Sequence, residues 1–277
     1  MGYRGRDVEV TFSNGVGLVV ACDSCGAIGE KELDVVKVPA RLTGRFATRV
    51  ALLEVLATGA EPQIVAAAIC NEPEPTGSEL LEGVKDELKS AGLGTLPIAI
   101  SCEKNMSTRQ TGLGITVVGV VNGAALHITS TRDGDSLYCL GLPLVGTEVQ
   151  DADDPEIVQA SDVRRLLENP AVHDIIPVGS QGILGEIGLL TKAMGMSFVA
   201  GVQKLAGAGP VGNDKPANSL DTHKSGGPAT CLIFTAGPEF APERSVLGGE
   251  LSRKFTPLFY LGKFIDTPAS IVDPKTE

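Results

Sequence analysis

The sequence predicts a two-domain protein of mixed helices and strands, and three observations lead there. At 277 residues the chain is long enough for two domains of ordinary size. Strand-like and helix-like runs alternate in both halves. Near Pro143–Pro155 the stretch VGTEVQDADDP turns acidic, turn-rich and aperiodic, as a boundary does, which divides the chain into residues 1–147 and 148–277. Hydrophobic residues make up 43% and charged residues 21%, as in soluble globular proteins. With aromatics at 4% and no Trp, the core has to be built from Val, Leu, Ile and Ala.

In the first half, Val16–Cys22 and Leu33–Val38 read as strands. A helix follows from about Arg45 to Thr58, with Phe46, Val50, Leu53 and Ala57 along one face, Arg45 and Arg49 on the exposed side, and Gly59 and Pro62 ending it. Gln63–Cys70 is a nearly continuous apolar run, hence a central strand buried on both faces. Thr76 and Glu79 form a capping-box pattern for a second helix, which carries Leu80, Val84 and Leu88 and stops at Gly92. Strands Ile98–Ser101 and Ile115–Val121 complete this half. In the second half a short helix covers about Ser161–Glu168, Asp174–Val178 is a strand, and Gly179-Ser180-Gln181-Gly182 opens a helix bearing Ile183, Ile187, Leu190 and Met194. Strands at Ser197–Val202 and Thr230–Thr235 enclose a glycine-rich connection, Leu205–Pro228, longer than ordinary loops are.

Composition and motifs exclude several classes. A net charge of −11 argues against nucleic acid or an anionic membrane as partner. The opening MGYRGRDVEV lacks the apolar core of a secretory segment, so a cytoplasmic protein is expected. Six scattered cysteines, mostly within apolar runs, fit reduced buried thiols, and the single CxxC at Cys22–Cys25 has no second pair to make a zinc site. Gly207–Gly212 matches GxGxxG by letters but leads into Asn213-Asp214-Lys215-Pro216 rather than a helix. His127, His173 and His223 are far apart in sequence, and His127 reads as a structural residue within a strand.

The most informative stretch is the loop between the last two strands of the first half. It gathers Glu103, Lys104, Asn105, Thr108, Arg109, Gln110 and Thr111, then Gly112 and Gly114. Oxygen ligands, cations and close-approach glycines in one loop suit a metal-bound polyphosphate. Asp23, beside Ser24 and Gly26 at the end of a strand, and Glu54, near the apolar face of its helix, add carboxylates that are costly to bury unless paired or metal-bound. Asp23, Glu54 and Glu103 are therefore candidates for a divalent-ion site.

Taken together, VVACDSCGAIGEKELDVV, RVALLEVLATGAEP, ISCEKNMSTRQTGLGITVVG and DIIPVGSQGILGEIGLLTKAMGMSFV resemble the ATP-dependent superfamily of aminoimidazole ribonucleotide synthetase (PurM-like), which includes thiamine-monophosphate kinase, selenophosphate synthetase and the hydrogenase-maturation dehydratase. Within it the Cys22–Lys31 stretch, Asn71-Glu72 and Gln110-Thr111-Gly112 look most like the α-ribazole kinases of cobamide salvage. The resemblance implies an α+β fold: an N-terminal mixed sheet with helices on one face that binds ATP and dimerises, plus an α/β-sandwich C-terminal domain. It implies ATP and Mg²⁺ near the dimer interface, with Asp23 on the family's metal-binding aspartate and Glu54 and Glu103 replacing aspartates of its helix end and Gly-Gly-Asp-Thr loop. The Gly-Asp-Asp-Ala motif of the thiamine-phosphate kinases is replaced by Ser13-Asn14-Gly15-Val16. The implied activity is transfer of the γ-phosphoryl group of ATP to a nucleoside hydroxyl, the 5′-hydroxyl of α-ribazole. Lys31, Lys104, Arg109 and Arg45 would stabilise charge on the transferred group, and Ser24, Gly26, Asn105, Gln110, Thr111 and Gly112 would hold the nucleotide. The alternatives are another synthetase or phosphotransferase of the same superfamily, thiamine-phosphate-kinase-like, or a nucleotide-binding protein without turnover.

Overall fold

A computed structural model describes residues 2–204, 220–242 and 256–267. The strands are β1 (Glu9–Ser13), β2 (Val16–Gly26), β3 (Ile28–Gly29), β4 (Val36–Lys37), β5 (Glu61–Ile69), β6 (Ile98–Cys102), β7 (Gly112–Asn122), β8 (Ser136–Gly141), β9 (Val172–Pro177), β10 (Met196–Lys204), β11 (Cys231–Ala236) and β12 (Leu258–Asp266). The helices are α1 (Ala40–Ala57), α2 (Ser78–Ser90), α3 (Ala160–Leu167) and α4 (Gly182–Met194). Two five-stranded sheets result, ordered β1-β2-β7-β5-β6 and β10-β12-β8-β11-β9. The first is mixed, because β5 and β6 run parallel while the other pairs are antiparallel; the second is antiparallel throughout. Its earliest strand, β8, precedes the acidic stretch at 143–155, so the chain changes sheets between residues 122 and 136. No helix among the described residues is long and apolar enough to cross a membrane.

Helix α1 lies between the two sheets. It packs on β2, β7 and β5 of the first and on β9 and α3 of the second. It is consequently buried almost all round, as a helix with two covered flanks must be. One continuous core joins Leu52, Leu53 and Val55 of α1 to Val117 of β7 and to Leu140, Ile175 and Phe234 of the second sheet. The alternate residues of the second sheet, such as Cys139, Ile176 and Ile233, face the other way onto Ile183, Ile187 and Leu190 of α4. Strand period two thus sorts one sheet into two cores.

Several sequence expectations change here. Arg49 is not on an exposed side: α2 covers that flank, and Arg49 has 0% exposure. Its Nε and Nη2 donate to Glu87 Oε1 and Oε2 at 2.6 and 2.9 Å, which offsets the desolvation of both charges. Strand β5 is buried on one face only. Val65, Ala67 and Ile69 pack under the helices, while Ile64, Ala66 and Ala68 face outward. The Leu33–Val38 strand shrinks to Val36–Lys37, and His127 lies after β7 in irregular backbone. Thr76 does not cap α2; its hydroxyl donates to Glu72 Oε1 at 2.6 Å, and a π-helical turn, Pro73–Gly77, leads into the helix. Only Cys139 and Cys231 are buried thiols, whereas Cys22 and Cys70 are exposed. Of the long glycine-rich connection, residues 205–219 lie outside the described residues, the GxGxxG letters included.

The α1–α2 contact depends on two glycines. A Cβ at Gly44 would meet Leu80 O at 2.1 Å, and one at Gly83 would meet Arg41 O at 2.0 Å. Both obstacles are backbone, so the helices must separate to admit a methyl group. Gly83→Ala is expected to cost about 1–3 kcal/mol, the range for overpacking. A urea midpoint lowered without a change of slope will show it.

Candidate active site

Strand β1 pairs with β2 only as far as Glu9 opposite Val20, which leaves the rest of β2 with a free edge. A cavity of about 950 Å³ opens there. One wall is Cys22–Gly26 with Asp7 and Glu9; the floor is α1, with Phe46, Val50 and Glu54; the remaining walls come from Val145–Val149, Pro177–Ser180 and Gly227–Ala229. Apolar side chains therefore form one part of the cavity and carboxylates another. Its acidic lining groups are Asp7, Glu9, Asp23 and Glu54, and no Lys, Arg or His lines it among the described residues.

Asp23 falls inside β2 rather than after it. Alternation turns it to the helix side with Val19 and Ala21, and burial raises its pKa against the opposing backbone N–H of Ser24. Glu54 is buried, and its Oε2 has no hydrogen-bond partner among the described residues. Desolvation pushes its pKa up to about 8, Arg6 pulls it down, and Asp7 and Glu186 add to the rise. An acid whose folded pKa lies above its usual 4.5 favours folding at low pH, and that contribution is lost as pH climbs toward 8. In Mg²⁺-free buffer the protein is expected to lose stability between about pH 5 and 8, by at most about 5 kcal/mol. Glu54→Gln should flatten that slope in thermal unfolding followed across the range. Burial together with Asp23 and Asp34 pushes the Cys25 thiol up to about 11, so it stays protonated at neutral pH.

The other expected site residues divide. Ser24 and Gly26 line the cavity with Asp23 and Glu54. Glu103, Lys31, Lys104, Arg45, Arg109, Asn105, Gln110, Thr111 and Gly112 do not. Glu103 follows β6, and its Oε1 accepts from the backbone N–H groups of Asn105 and Met106 at 2.7 and 3.3 Å, which lowers its pKa. The described residues contain no cluster of three His, Cys, Asp or Glu side chains placed to hold one ion. Three of the four expected cations are matched with carboxylates. Lys31 meets Glu72 at 2.7 Å, Arg109 meets Glu32 at 2.6 Å, and Arg45 meets Glu87 at 3.1 Å and Asp153 at 2.8 Å. Lys104 is exposed.

The polar loop 103–112 is instead woven into the segment that follows β2. Thr111 donates through N–H and hydroxyl to Asp34, Gln110 Nε2 donates to Leu33 O, and Asn71 bridges Gln110 O and the N–H of Gly112. Glu72 accepts from Lys31, Thr76 and Thr108, which outweigh its desolvation and hold its pKa at about 2. Asp7, Glu9 and Glu186 escaped sequence reasoning. Asp7 and Glu9 stand on a short polar stretch where nothing in the spacing separates a cavity carboxylate from a solvated one, and Glu186, on α4, acts on Glu54 from outside the cavity lining.

Comparison with known proteins gives a fold. No family model and no curated protein matches the sequence. Among solved structures, thiamine monophosphate kinase from Aquifex aeolicus is 14% identical, with a TM-score of 0.63 over 94% of this chain and 89% of that one. The HypE protein of a HypE–HypF complex is 16% identical, with a TM-score of 0.61 over 95% and 88%. PurL of T. maritima, solved with ADP, is 15% identical, with a TM-score of 0.62 over 97% of this chain and 43% of that one. Two packed sheets in this order, with α1 between them, give the chain the PurM-like α+β fold that these proteins share.

Proposed function

We propose that the chain is an ATP-dependent phosphotransferase that phosphorylates a nucleoside hydroxyl, with α-ribazole as acceptor and α-ribazole 5′-phosphate as product. The observation that carries this reading is the charge of the cavity. Four acidic groups without a cation among the described lining residues offer a polyphosphate no partner unless divalent ions accompany it and ionise the buried ones, and Mg²⁺ is ordinarily held by one or two carboxylates plus substrate phosphates. Asp23 and Glu54, the latter with a buried unpartnered oxygen, fit that donor set. The same charge disfavours an acceptor that already bears a phosphate, as a thiamine-phosphate-kinase-like activity requires, and favours a neutral nucleoside. The bound ion would offset phosphate charge. The apolar stretch of α1 and the Val145–Val149 wall would exclude water and seat a base. In the reaction the acceptor hydroxyl oxygen bonds to the γ-phosphorus, the bond from that phosphorus to the bridging oxygen breaks, ADP leaves, and the hydroxyl proton is released to solvent. Glu103 and the cations Lys31, Lys104 and Arg109 reach this chemistry only if loops 26–38 and 103–112 move toward the cavity, and Arg45 of α1 only if it gives up Glu87 and Asp153. That pairing is the specific observation favouring the second reading, a nucleotide-binding protein without turnover.

The acting unit in this reading is a homodimer. The outer face of the first sheet carries an apolar patch that no described element covers: Leu18 and Val20 of β2, Val118 and Val120 of β7, and Ile64 and Ala66 of β5 stand on it. A sheet face turned to water usually carries more polar residues than this one, whose polar members, such as Thr116 and Ser24, lie toward one end. The cavity shares Val20, Cys22 and Ser24 with that face, so a second copy seated there would complete its mouth. Light scattering on the wild type is expected to give twice the chain mass, and Val118→Lys half of that.

Purified protein with Mg²⁺-ATP is expected to release ADP in proportion to added α-ribazole and to yield the 5′-phosphate by mass. Nucleotide binding without product would remove the α-ribazole assignment.

A further inference from the structure

Away from the carboxylate cavity, a groove of about 440 Å³ lies between the first residues of the chain and α4. Arg4, Gly5, Thr129, Leu189, Lys192 and Ala193 line it. Its charged lining groups are both cations, in a chain of net charge −11. Elsewhere Lys31, Arg41, Arg45, Arg49, Lys85, Arg109, Arg165 and Lys224 each face a carboxylate within salt-bridge distance. Arg4 and Lys192 have no such carboxylate among the described residues.

The backbone around the groove is held in uncommon conformations. Arg4 has φ 51° and ψ 35°, and Thr129 has φ 59°, both left-handed and both non-glycine. For a β-branched residue such as Thr129 this is a true outlier, and strain of that kind persists where the surroundings or a function require it. The two residues meet: Arg4 Nη1 donates to Thr129 Oγ1 at 2.8 Å, and the Thr129 hydroxyl donates to Ile128 O. That bond uses one arm of the guanidinium and leaves the rest of its fork for another acceptor. The Lys192 ammonium on α4 supplies a second positive charge across the groove.

From this geometry we infer a binding site for a small oxyanion carrying a phosphate group, separate from the nucleotide cavity. The planar fork of Arg4 suits two phosphate oxygens, and Lys192 acts as a point charge on the third. Both walls of the groove continue into the main cavity. Gly2 and Asp7, on either side of the turn that bears Arg4, line that cavity, as do Gly179 and Ser180 just before α4. An oxyanion bound in the groove therefore bears on two of its walls at once.

The test is a titration of the ¹⁵N-labelled full chain, without Mg²⁺ or nucleotide, using inorganic phosphate in one series and glycerol 3-phosphate in another. Saturable shifts of the Gly5, Thr129 and Ala193 amides are expected with at least one probe. Tighter binding in the second series would mark a phosphate monoester as the ligand, and equal binding the free ion. Arg4→Gln and Lys192→Gln should each weaken that binding at least tenfold, whereas Lys85→Gln, which removes a cation paired with Glu82 on α2, should leave it unchanged. Lys192→Gln removes no hydrogen bond or ion pair of the described residues and so serves even if Arg4→Gln disturbs the turn. No saturable shift at these amides with either probe, or equal affinity in Lys192→Gln, overturns the site. Neither result depends on whether the protein turns over ATP.

Discussion

Glu87→Ala is expected to be the most destabilising single substitution in the protein, at about 3–5 kcal/mol. Arg49 has 0% exposure and gives two hydrogen bonds to that carboxylate, while its guanidinium carbon sits 4.9 Å from the Phe46 ring centroid. Removing the carboxylate strands a positive charge between α1 and α2. A loss of that size is a large part of the 5–15 kcal/mol by which ordinary domains are stable. Glu87→Gln should fare little better, because an amide keeps the shape and not the charge. The double substitution Arg49→Met with Glu87→Leu should recover most of the loss, since a buried pair replaced by apolar groups of similar volume is often neutral. Chemical denaturation of the four proteins forms the cycle. Glu87 also takes Arg45, which in turn grips Asp153 through two bonds of 2.8 and 2.9 Å. The same substitution should therefore raise amide exchange in the Val145–Val149 wall of the cavity.

Asp23→Ala is expected to lower kcat/KM with Mg²⁺-ATP by on the order of 10²–10³, the scale on which removing one electrostatic contact to a transition state acts. Its stability should move the other way. Burial raises the Asp23 pKa, so the ionised carboxylate is a cost to the folded chain near neutral pH. Asp23→Asn should accordingly raise the melting temperature while activity falls, a combination that a merely structural residue would not give. Steady-state kinetics over a Mg²⁺ series, beside thermal unfolding of the same preparation, separates the two effects. Unchanged turnover in Asp23→Asn would remove this carboxylate from the site.

Much of the fold is legible in the residues. Leu80, Val84 and Leu88 mark the buried face of α2, and Ile183, Ile187 and Leu190 that of α4, because a helix with one covered side prints its period on the sequence. Helix α1 defeats the same reading. With both flanks covered, Thr43, Thr48, Arg49 and Glu54 are buried along with Leu52, so polarity no longer reports exposure. Strand β5 fails for the opposite reason. Ile64, Ala66 and Ala68 are apolar, yet they stay exposed among the described residues. The candidate cavity was partly legible. Asp23 and Glu54, with Ser24 and Gly26, line one cavity. The loop 103–112 was conspicuous for its polar side chains, yet these satisfy Asp34, Glu72 and Glu32 across the neighbouring segment, pairings between residues about 36 to 77 apart that local spacing does not encode.

The position of α1 has a consequence for how the chain becomes a folded body. Its Leu53 and Val55 belong to a core that also contains Val117 from one sheet and Phe234 from the other, more than a hundred residues later. A nascent chain that has emerged only through β7 still lacks everything that will cover the second flank of the helix. That flank stays wet until α3 and β9 arrive. Neither sheet is then an autonomous folding unit. A fragment cut between residues 122 and 136 should bind the dye ANS and aggregate, whereas the whole chain should unfold in one calorimetric transition. For engineering, the second sheet is not a module to be exchanged between relatives unless α1 travels with it.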